Sequence, residues 1–339
     1  MDSEDQLINR IANAIPSRIG TVPERSGETN LRLGIGDDSA VIAPSVKTDW
    51  VLSCDAFLEG VHFWANRHPA DSVGYKSLVR ATSDLAAMGA APRLFLLTLA
   101  LPASRTAAWL DEFLKGMGRA AQQLGMRLAG GDTTKFPAVS ISITVLGEVP
   151  RGLAVTRSGA RPGDLIYVSG KLGRAQLGLE LLRKGFGRKR RDRRLLQPHL
   201  YPAIRIELGA WLAQKRVASA MMDLSDGLST DLPRLCRSSG VGARVVAGNM
   251  PCVEIPVETR RLLTKGNLDP LQMALHGGED YELLFTVPPK KVKRLREAPG
   301  FFELTAIGEI TAKKDLVIVS TDGRQQRLQS LGWDPFRKG

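Results

Sequence analysis

Residues 94–149 read LFLLTLALPASRTAAWLDEFLKGMGRAAQQLGMRLAGGDTTKFPAVSISITVLGEV. Positions 94–101 are an apolar run of strand length, interrupted by Thr98, and predict a buried strand. Trp109, Phe113, Met117, Ala121 and Leu124 recur at helical spacing, and Gly125 closes that helix. Residues 126–129 read as another short strand, followed by Gly130-Gly131-Asp132-Thr133-Thr134, and residues 141–149 alternate as a strand.

Upstream, Ser3 and Gln6 fit a capping box before a stripe of Leu7, Ile8, Ile11, Ala12 and Ile15. Residues 50–54 predict a short strand. Asp71 is placed to N-cap a helix ending at Gly89, with Pro92 beyond it. The core stripe of that helix is Tyr75, Leu78, Val79, Thr82, Leu85 and Ala86. Downstream, residues 151–163 are rich in Gly, Arg and Pro and predict a boundary between domains 1–150 and 151–339. A strand at 165–168, helices near 174–183 and 202–213, a strand into Met222 and a hairpin turn at Asp322-Gly323 follow. Strands and helices are mixed without a strict βαβ rhythm, so layered α+β domains are expected rather than a doubly wound sheet.

The 339 residues suit two domains of ordinary size, and a chain 43% hydrophobic and 24% charged is globular in composition. No apolar run approaches about 18 residues, which predicts no membrane span. The acidic opening MDSEDQ is unlike a signal peptide, and Cys54, Cys236 and Cys252 are too scattered for a disulfide framework. A cytoplasmic location is the expectation.

The formal charge is +12, but it is unevenly placed. Residues 1–150 hold 14 basic and 16 acidic side chains, net −2, and residues 151–339 hold 33 and 19, net +14. Residues 181–200 alone contain 8 basic residues and one acid, half of that second excess. Such a run is ordinarily a solvated face, and no aromatics alternate with it to stack bases. Nucleic acid is therefore not the expected partner.

P-loop, HExxH, CxxC, GxSxG and protein-kinase signatures are absent. The chemistry-bearing groups are acidic clusters with small neighbours: Gly34-Ile35-Gly36-Asp37-Asp38-Ser39, Ser53-Cys54-Asp55, Ser83-Asp84, Gly130–Thr134, Asp223-Leu224-Ser225-Asp226-Gly227 and Gly277-Gly278-Glu279-Asp280-Tyr281-Glu282. Any one of them is ordinary turn or capping chemistry. Asp84 lies opposite its helix's core stripe, where a solvated carboxylate is the plain reading. Together they bring Asp with Ser, Thr and Gly to the ends of elements, where sites are built. Two carboxylates ~4 Å apart repel by roughly 4 kcal/mol at an effective dielectric of ~20, so convergence requires cations. Oxygen ligands without His or Cys favour Mg²⁺ or Mn²⁺ over zinc, used with phosphorylated ligands. A metal-free arrangement would need arginine partners, with Arg157 and Arg93 nearest by motif.

Taken in order, GIGDDSAVI, SCDAFLEGVHF, SDLAAMGAAPR, GGDTTKF, TRSGARPGD, DLSDGLSTDL and GGEDYELLFT resemble the thiamine-monophosphate kinase family, over about residues 34–286, with Gly332-Trp333-Asp334 adding to the match. The resemblance implies a two-domain fold like aminoimidazole ribonucleotide synthetase, with an N-terminal mixed α/β domain that binds ATP and Mg²⁺ and dimerises, and a C-terminal α+β domain. It implies direct in-line transfer of the ATP γ-phosphoryl group to thiamine monophosphate, the last step of thiamine diphosphate synthesis. By the same resemblance Asp38, Ser53, Cys54, Asp55, Asp84, Asp132, Asp223 and Asp226 hold several Mg²⁺ ions, with Asp55, Asp132 and Asp226 carrying catalysis. Gly131, Asp132, Arg157 and Ser225 contact ATP, and His62, Glu279 and Trp333 contact thiamine monophosphate. A homodimer follows on the same ground.

Two departures stand out. Position 54 is Cys where the family commonly has Thr, and the Arg-rich 183–194 segment belongs to no motif. Competing readings are another ATP-dependent enzyme of the superfamily, a nucleic-acid-binding protein using residues 183–194, and a non-catalytic nucleotide sensor. The selenophosphate and hydrogenase-maturation relatives use reactive cysteines near a terminus, which MDSEDQ and GWDPFRKG lack.

Overall fold

The computed structural model describes residues 4–16, 31–33, 41–42, 45–186, 190–262, 269–300 and 302–336. It divides into two compact units, residues 1–85 with 90–154, and residues 86–89 with 155–339. The Ser3–Gln6 capping box involves a residue outside the described set, as does Asp38.

The first unit contains helix α1 (Glu4–Ala14), the short pair β1 (Leu31–Leu33) and β2 (Val41–Ile42), β3 (Thr48–Leu58), α2 (Ala70–Ala87, its end grouping with the second unit), β4 (Ala91–Leu101), α3 (Ala108–Leu124), β5 (Arg127–Lys135) and β6 (Ser140–Pro150). Its four-stranded sheet has the order β3-β6-β4-β5. Only β4 and β5 pair in parallel, and α3 is their crossover. Leu110, Phe113 and Met117 of α3 are fully buried, each contributing about 2 kcal/mol relative to exposure. Gly125 ends the helix in the left-handed conformation, its N–H returning to Ala121 and Gln122.

The second unit holds β7 (Leu165–Ser169), α4 (Arg174–Arg183), α5 (Arg190–Leu200), α6 (Ile206–Gln214), β8 (Ala220–Asp223), α7 (Leu228–Ser239), β9 (Gly242–Val246), α8 (Val257–Leu262), α9 (Pro270–His276), β10 (Leu283–Val287), β11 (Leu304–Thr311), β12 (Leu316–Val319) and β13 (Gln325–Arg327). The sheet order is β13-β12-β9-β11-β7-β10-β8, antiparallel except for β12 beside β9. Successive strand residues enter two different cores. Ile166, Val168, Met222 and Leu284 meet α7 and α9, while Tyr167, Met221, Leu283 and Phe285 meet α6. Burial of both faces explains why β8 and β10 are apolar without alternation. The turn at Asp322-Gly323 joins β12 and β13, with Gly323 at φ 82°.

Several local expectations change. Helix α2 begins at Ala70, which puts Asp71 in its first turn rather than at its N-cap. Gly130–Thr134 does not follow a strand; it lies within β5, where pairing to β4 extends the strand through the motif. The helix expected at 202–213 starts at Ile206, and Pro92 lies inside β4. The Arg-rich segment contributes to helix α5, whose Leu196 and Leu200 pack against Leu177 and Leu181 of α4.

Candidate active site

In the first unit the strand period decides which side chains of Ser53-Cys54-Asp55 act together. Ser53 and Asp55 share one face of β3 with the buried Val51 and Phe57. There the Ser53 hydroxyl donates to Asp84 Oδ2 of α2. Arg80, one turn earlier on α2, places its Nε 3.3 Å from Asp55 Oδ2 and its guanidinium over the Phe57 ring. Asp84 is therefore half-buried against the sheet, not a solvated carboxylate. Cys54 points the other way, exposed, with Sγ 3.5 Å from Ser142 Oγ. Only a backbone oxygen of position 54 remains for the side occupied by Ser53 and Asp55.

Asp132 is exposed on β5, opposite Thr98 of β4. Gly131 precedes it because a Cβ there would lie 1.9 Å from the Leu97 carbonyl oxygen. His62 is half-buried. Its Nδ1 accepts the Leu58 N–H at 3.0 Å, which leaves the proton of the neutral ring on Nε2.

In the second unit three motifs far apart in sequence are joined through their backbones. Asp223 ends β8, buried, opposite Leu283 in register. Beyond it the Leu224 and Ser225 carbonyls accept the Tyr281 and Glu279 N–H groups at 2.9 and 2.8 Å. The Asp226 carbonyl accepts the Trp333 N–H at 2.9 Å. Thus Ser225, Asp226, Glu279 and Trp333 form one loop cluster, with the Trp333 side chain 47% exposed. Glu279 and Tyr281 have φ of 66° and 50°, a left-handed conformation that costs non-glycine residues roughly 1–3 kcal/mol each. Arg157 is exposed, and its carbonyl accepts the Ser239 hydroxyl at 3.0 Å.

Four partners here carry no motif signal. Arg234 Nη1 donates to Asp226 Oδ2 at 2.6 Å and to Asp231 Oδ1 at 2.8 Å. Burial, with the Asp226 charge beside it, pushes the Asp231 carboxyl up to about 7. His199, 1% exposed, sets Nδ1 3.1 Å from Glu279 Oε2. Arg205 grips the buried Glu282 through both of its oxygens, and Ser169 Oγ donates to the same carboxylate. The arginines that neutralise candidate carboxylates are thus Arg80 and Arg234, while Arg93 pairs with Glu148.

Asp280 has a different task. Its carboxyl accepts the Gly173 and Ala175 N–H groups at 2.6 and 3.0 Å, capping α4 from another part of the chain. Desolvation of the half-buried carboxyl raises its pKa to about 7, opposed by those two hydrogen bonds. The unfolded chain ionises this aspartate near 4 and the folded chain only near 7, so over that interval the folded state holds the proton. Its contribution to stability is full below about 4 and is lost as pH rises through about 7. Urea melts at pH 5 and 7 are expected to show a larger decrease for the wild type than for Asp280→Asn; equal decreases count against this account.

The oxygen donors of Ser53, Asp55 and Asp84 suit Mg²⁺, which takes one or two carboxylates and completes its shell with water and phosphate oxygens, whereas Asp132, in the row of Thr98 and Ser142, lies on the Cys54 face of the sheet and is not brought to them. Among the described residues no three His, Cys, Asp or Glu side chains are gathered as a metal cage. A Mg²⁺ site shared with substrate phosphates does not require one.

Comparison with known proteins places these units. Residues 36–149 match the N-terminal domain of the AIR synthase related proteins, and residues 161–320 match the C-terminal domain. The chain is therefore a two-domain protein of the AIR synthase related class. It is 38% identical over 320 residues to the thiamine-monophosphate kinase of Escherichia coli (strain K12), covering 92% of this chain and 94% of that one. The structure of thiamine-monophosphate kinase from Stenotrophomonas maltophilia K279a superposes with a TM-score of 0.78 at 36% identity, over 94% and 96% of the two chains. The structure of AaThiL complexed with AMPPCP and TMP gives 0.75 at 32% identity, over 89% and 92%. The chain belongs to the thiamine-monophosphate kinase family.

Proposed function

We propose that this chain transfers the γ-phosphoryl group of ATP to thiamine monophosphate, yielding thiamine diphosphate and ADP. The observation that carries the reading is 38% identity spread over 92% of the chain, together with the candidate motifs sitting in order within it. A relative of the same fold is known as a complex with AMPPCP and TMP, which supports the same substrate pair.

Donor and acceptor are both anionic, so the task is to neutralise charge and hold the two in line. Asp38, Ser53, Asp55, Asp84, Asp132, Asp223 and Asp226, with the backbone oxygen of Cys54, are the residues we assign to Mg²⁺. Bound Mg²⁺ supplies positive charge to the phosphate oxygens. Gly131, Asp132, Arg157 and Ser225 orient ATP, while His62, Glu279 and Trp333 orient thiamine monophosphate. The acceptor phosphate is already ionised, so no strong general base is needed, and none of the four histidines is assigned that role. Arg234 holds Asp226, and His199 holds Glu279, each in a set rotamer.

We assign a homodimer built on the exposed face of the four-stranded sheet. Leu52 and Leu96 are 62% and 38% exposed there, beside exposed Cys54 and Thr98. We also assign a cytoplasmic location; no helix among the described residues is long and apolar enough to cross a membrane. A coupled assay with ATP, Mg²⁺ and thiamine monophosphate, with thiamine as control, tests the function. Thiamine diphosphate is expected from the first substrate only, and its absence would overturn the reading.

A further inference from the structure

A cavity of about 600 Å³ opens in the second unit, and none of its lining residues belongs to the motifs above. The volume is that of a small-molecule site. Four cations line it from four separate segments: Lys171 after β7, Arg174 opening α4, Arg194 on α5, and Arg205 before α6. Two are already engaged. Lys171 pairs with Glu254, and Arg205 is held by Glu282 with its guanidinium 5.6 Å from the Phe302 ring centre. Arg174 and Arg194 are exposed, and neither forms an ion pair with another described residue. Glu303 is the remaining acid of the lining. Leu177, Val253 and Phe302 are apolar members of the lining, Leu177 and Val253 largely buried in the core beneath it.

Two exposed guanidinium groups outside any ion pair with a described residue, beside apolar side chains, match a ligand with an anionic end and a flat hydrophobic body. Arginine is the side chain best suited to phosphate, because its planar fork donates two parallel hydrogen bonds. We propose that this cavity binds a small phosphorylated compound carrying a planar ring, with the phosphate between Arg174 and Arg194 and the ring against Phe302, Leu177 and Val253. The occupant acts on the candidate substrate site through α5. That helix sets Arg194 and Pro198 on the cavity and the next residue, His199, on Glu279. This also gives the motif-free basic segment a task, since Arg194 is its last member.

The probe is 1-naphthyl phosphate, titrated calorimetrically into the full chain without ATP or Mg²⁺, with 1-naphthol as the uncharged control. Binding of the phosphate is expected, weakened about tenfold or more in Arg174→Ala/Arg194→Ala by loss of two charge-assisted contacts, with unchanged thermal melting. No binding, equal affinity in the double variant, or equal affinity for 1-naphthol overturns the site. The coupling rests on the kinase reading. There the probe is expected to shift KM for thiamine monophosphate in the wild type and not in the double variant; an absent shift, or one surviving in the double variant, overturns the link through α5. Absence of turnover altogether counts against the kinase reading and leaves the calorimetric result standing.

Discussion

Asp132→Asn is expected to lower kcat on the order of 10³-fold, the scale seen when one preorganised charge-stabilising group is removed from a phosphoryl or acyl transfer site. The structure makes this substitution clean. Asp132 is exposed, and asparagine preserves its shape and its place in β5 opposite Thr98. Surface substitutions of this kind change stability by no more than about 0.5 kcal/mol, so the melting temperature should stay with the wild type. Only the charge is lost, and with it the contribution assigned to Mg²⁺ and ATP. Asp55→Asn is expected to reduce turnover similarly but is a less pure test, because Asp55 also anchors Arg80 over the Phe57 ring. Turnover measured against Mg²⁺ concentration, with a thermal melt on the same preparation, decides the matter. Wild-type rates for Asp132→Asn at limiting Mg²⁺ would remove Asp132 from the catalytic set.

Gly116→Val is expected to produce the largest loss of stability, about 3 kcal/mol or more, because it forces bulk into a closed backbone contact. A Cβ at Gly116 of α3 would lie 1.8 Å from the Asp71 carbonyl oxygen of α2. The contact is reciprocal: a Cβ at Gly74 of α2 would lie 1.9 Å from the Phe113 carbonyl oxygen of α3. The two helices therefore cross with their backbones touching. Alanine in place of a mid-helix glycine ordinarily gains about 1 kcal/mol in helix propensity, but the obstruction here is main chain, which cannot rotate aside. Helix α2 also carries Arg80 and Asp84 to β3, so separating the helices should disturb the Ser53–Asp84 and Asp55–Arg80 pairs together. Denaturant melts of Gly116→Val and Gly74→Val check this; melts superimposable on the wild type would show that the crossing is looser than described.

The elements easiest to read from the sequence were those with a strong local period. The stripe of Trp109, Phe113, Met117, Ala121 and Leu124 gives α3, closed by Gly125 in the expected left-handed turn. The strands at 94–101 and 141–149 appear as β4 and β6, each slightly longer than its apolar run. The misread elements are those whose signal is not local. Gly130–Thr134 looks like a loop, since two glycines and an aspartate weaken any strand, yet pairing with β4 carries β5 through it to Lys135. Helix α5 was hidden by its charge; what holds it is Leu196 and Leu200 on α4, not its own propensity.

The candidate site divides in the same way. Which residue types are candidates for the chemistry was legible, because acidic residues beside Gly, Ser and Thr in seven ordered motifs are visible without coordinates. The family followed from those motifs, and the identity to known kinases supports it over 92% of the chain. Sequence order alone could not show that Cys54 turns away from Ser53 and Asp55, although the strand period implies it once β3 is known. Nor could it name Arg80, Arg234 or His199 as the partners of Asp55, Asp226 and Glu279. Nothing in the sequence separated Asp280, a helix cap, from Glu279 beside it, a candidate substrate ligand. Composition, period and motif are properties of neighbours along the chain, so the sequence by itself determined the strongly periodic elements, the family and the kind of chemistry. In the candidate site, which carboxylate meets which arginine depends on contacts between segments as far as 77 residues apart, and only the tertiary structure decided that.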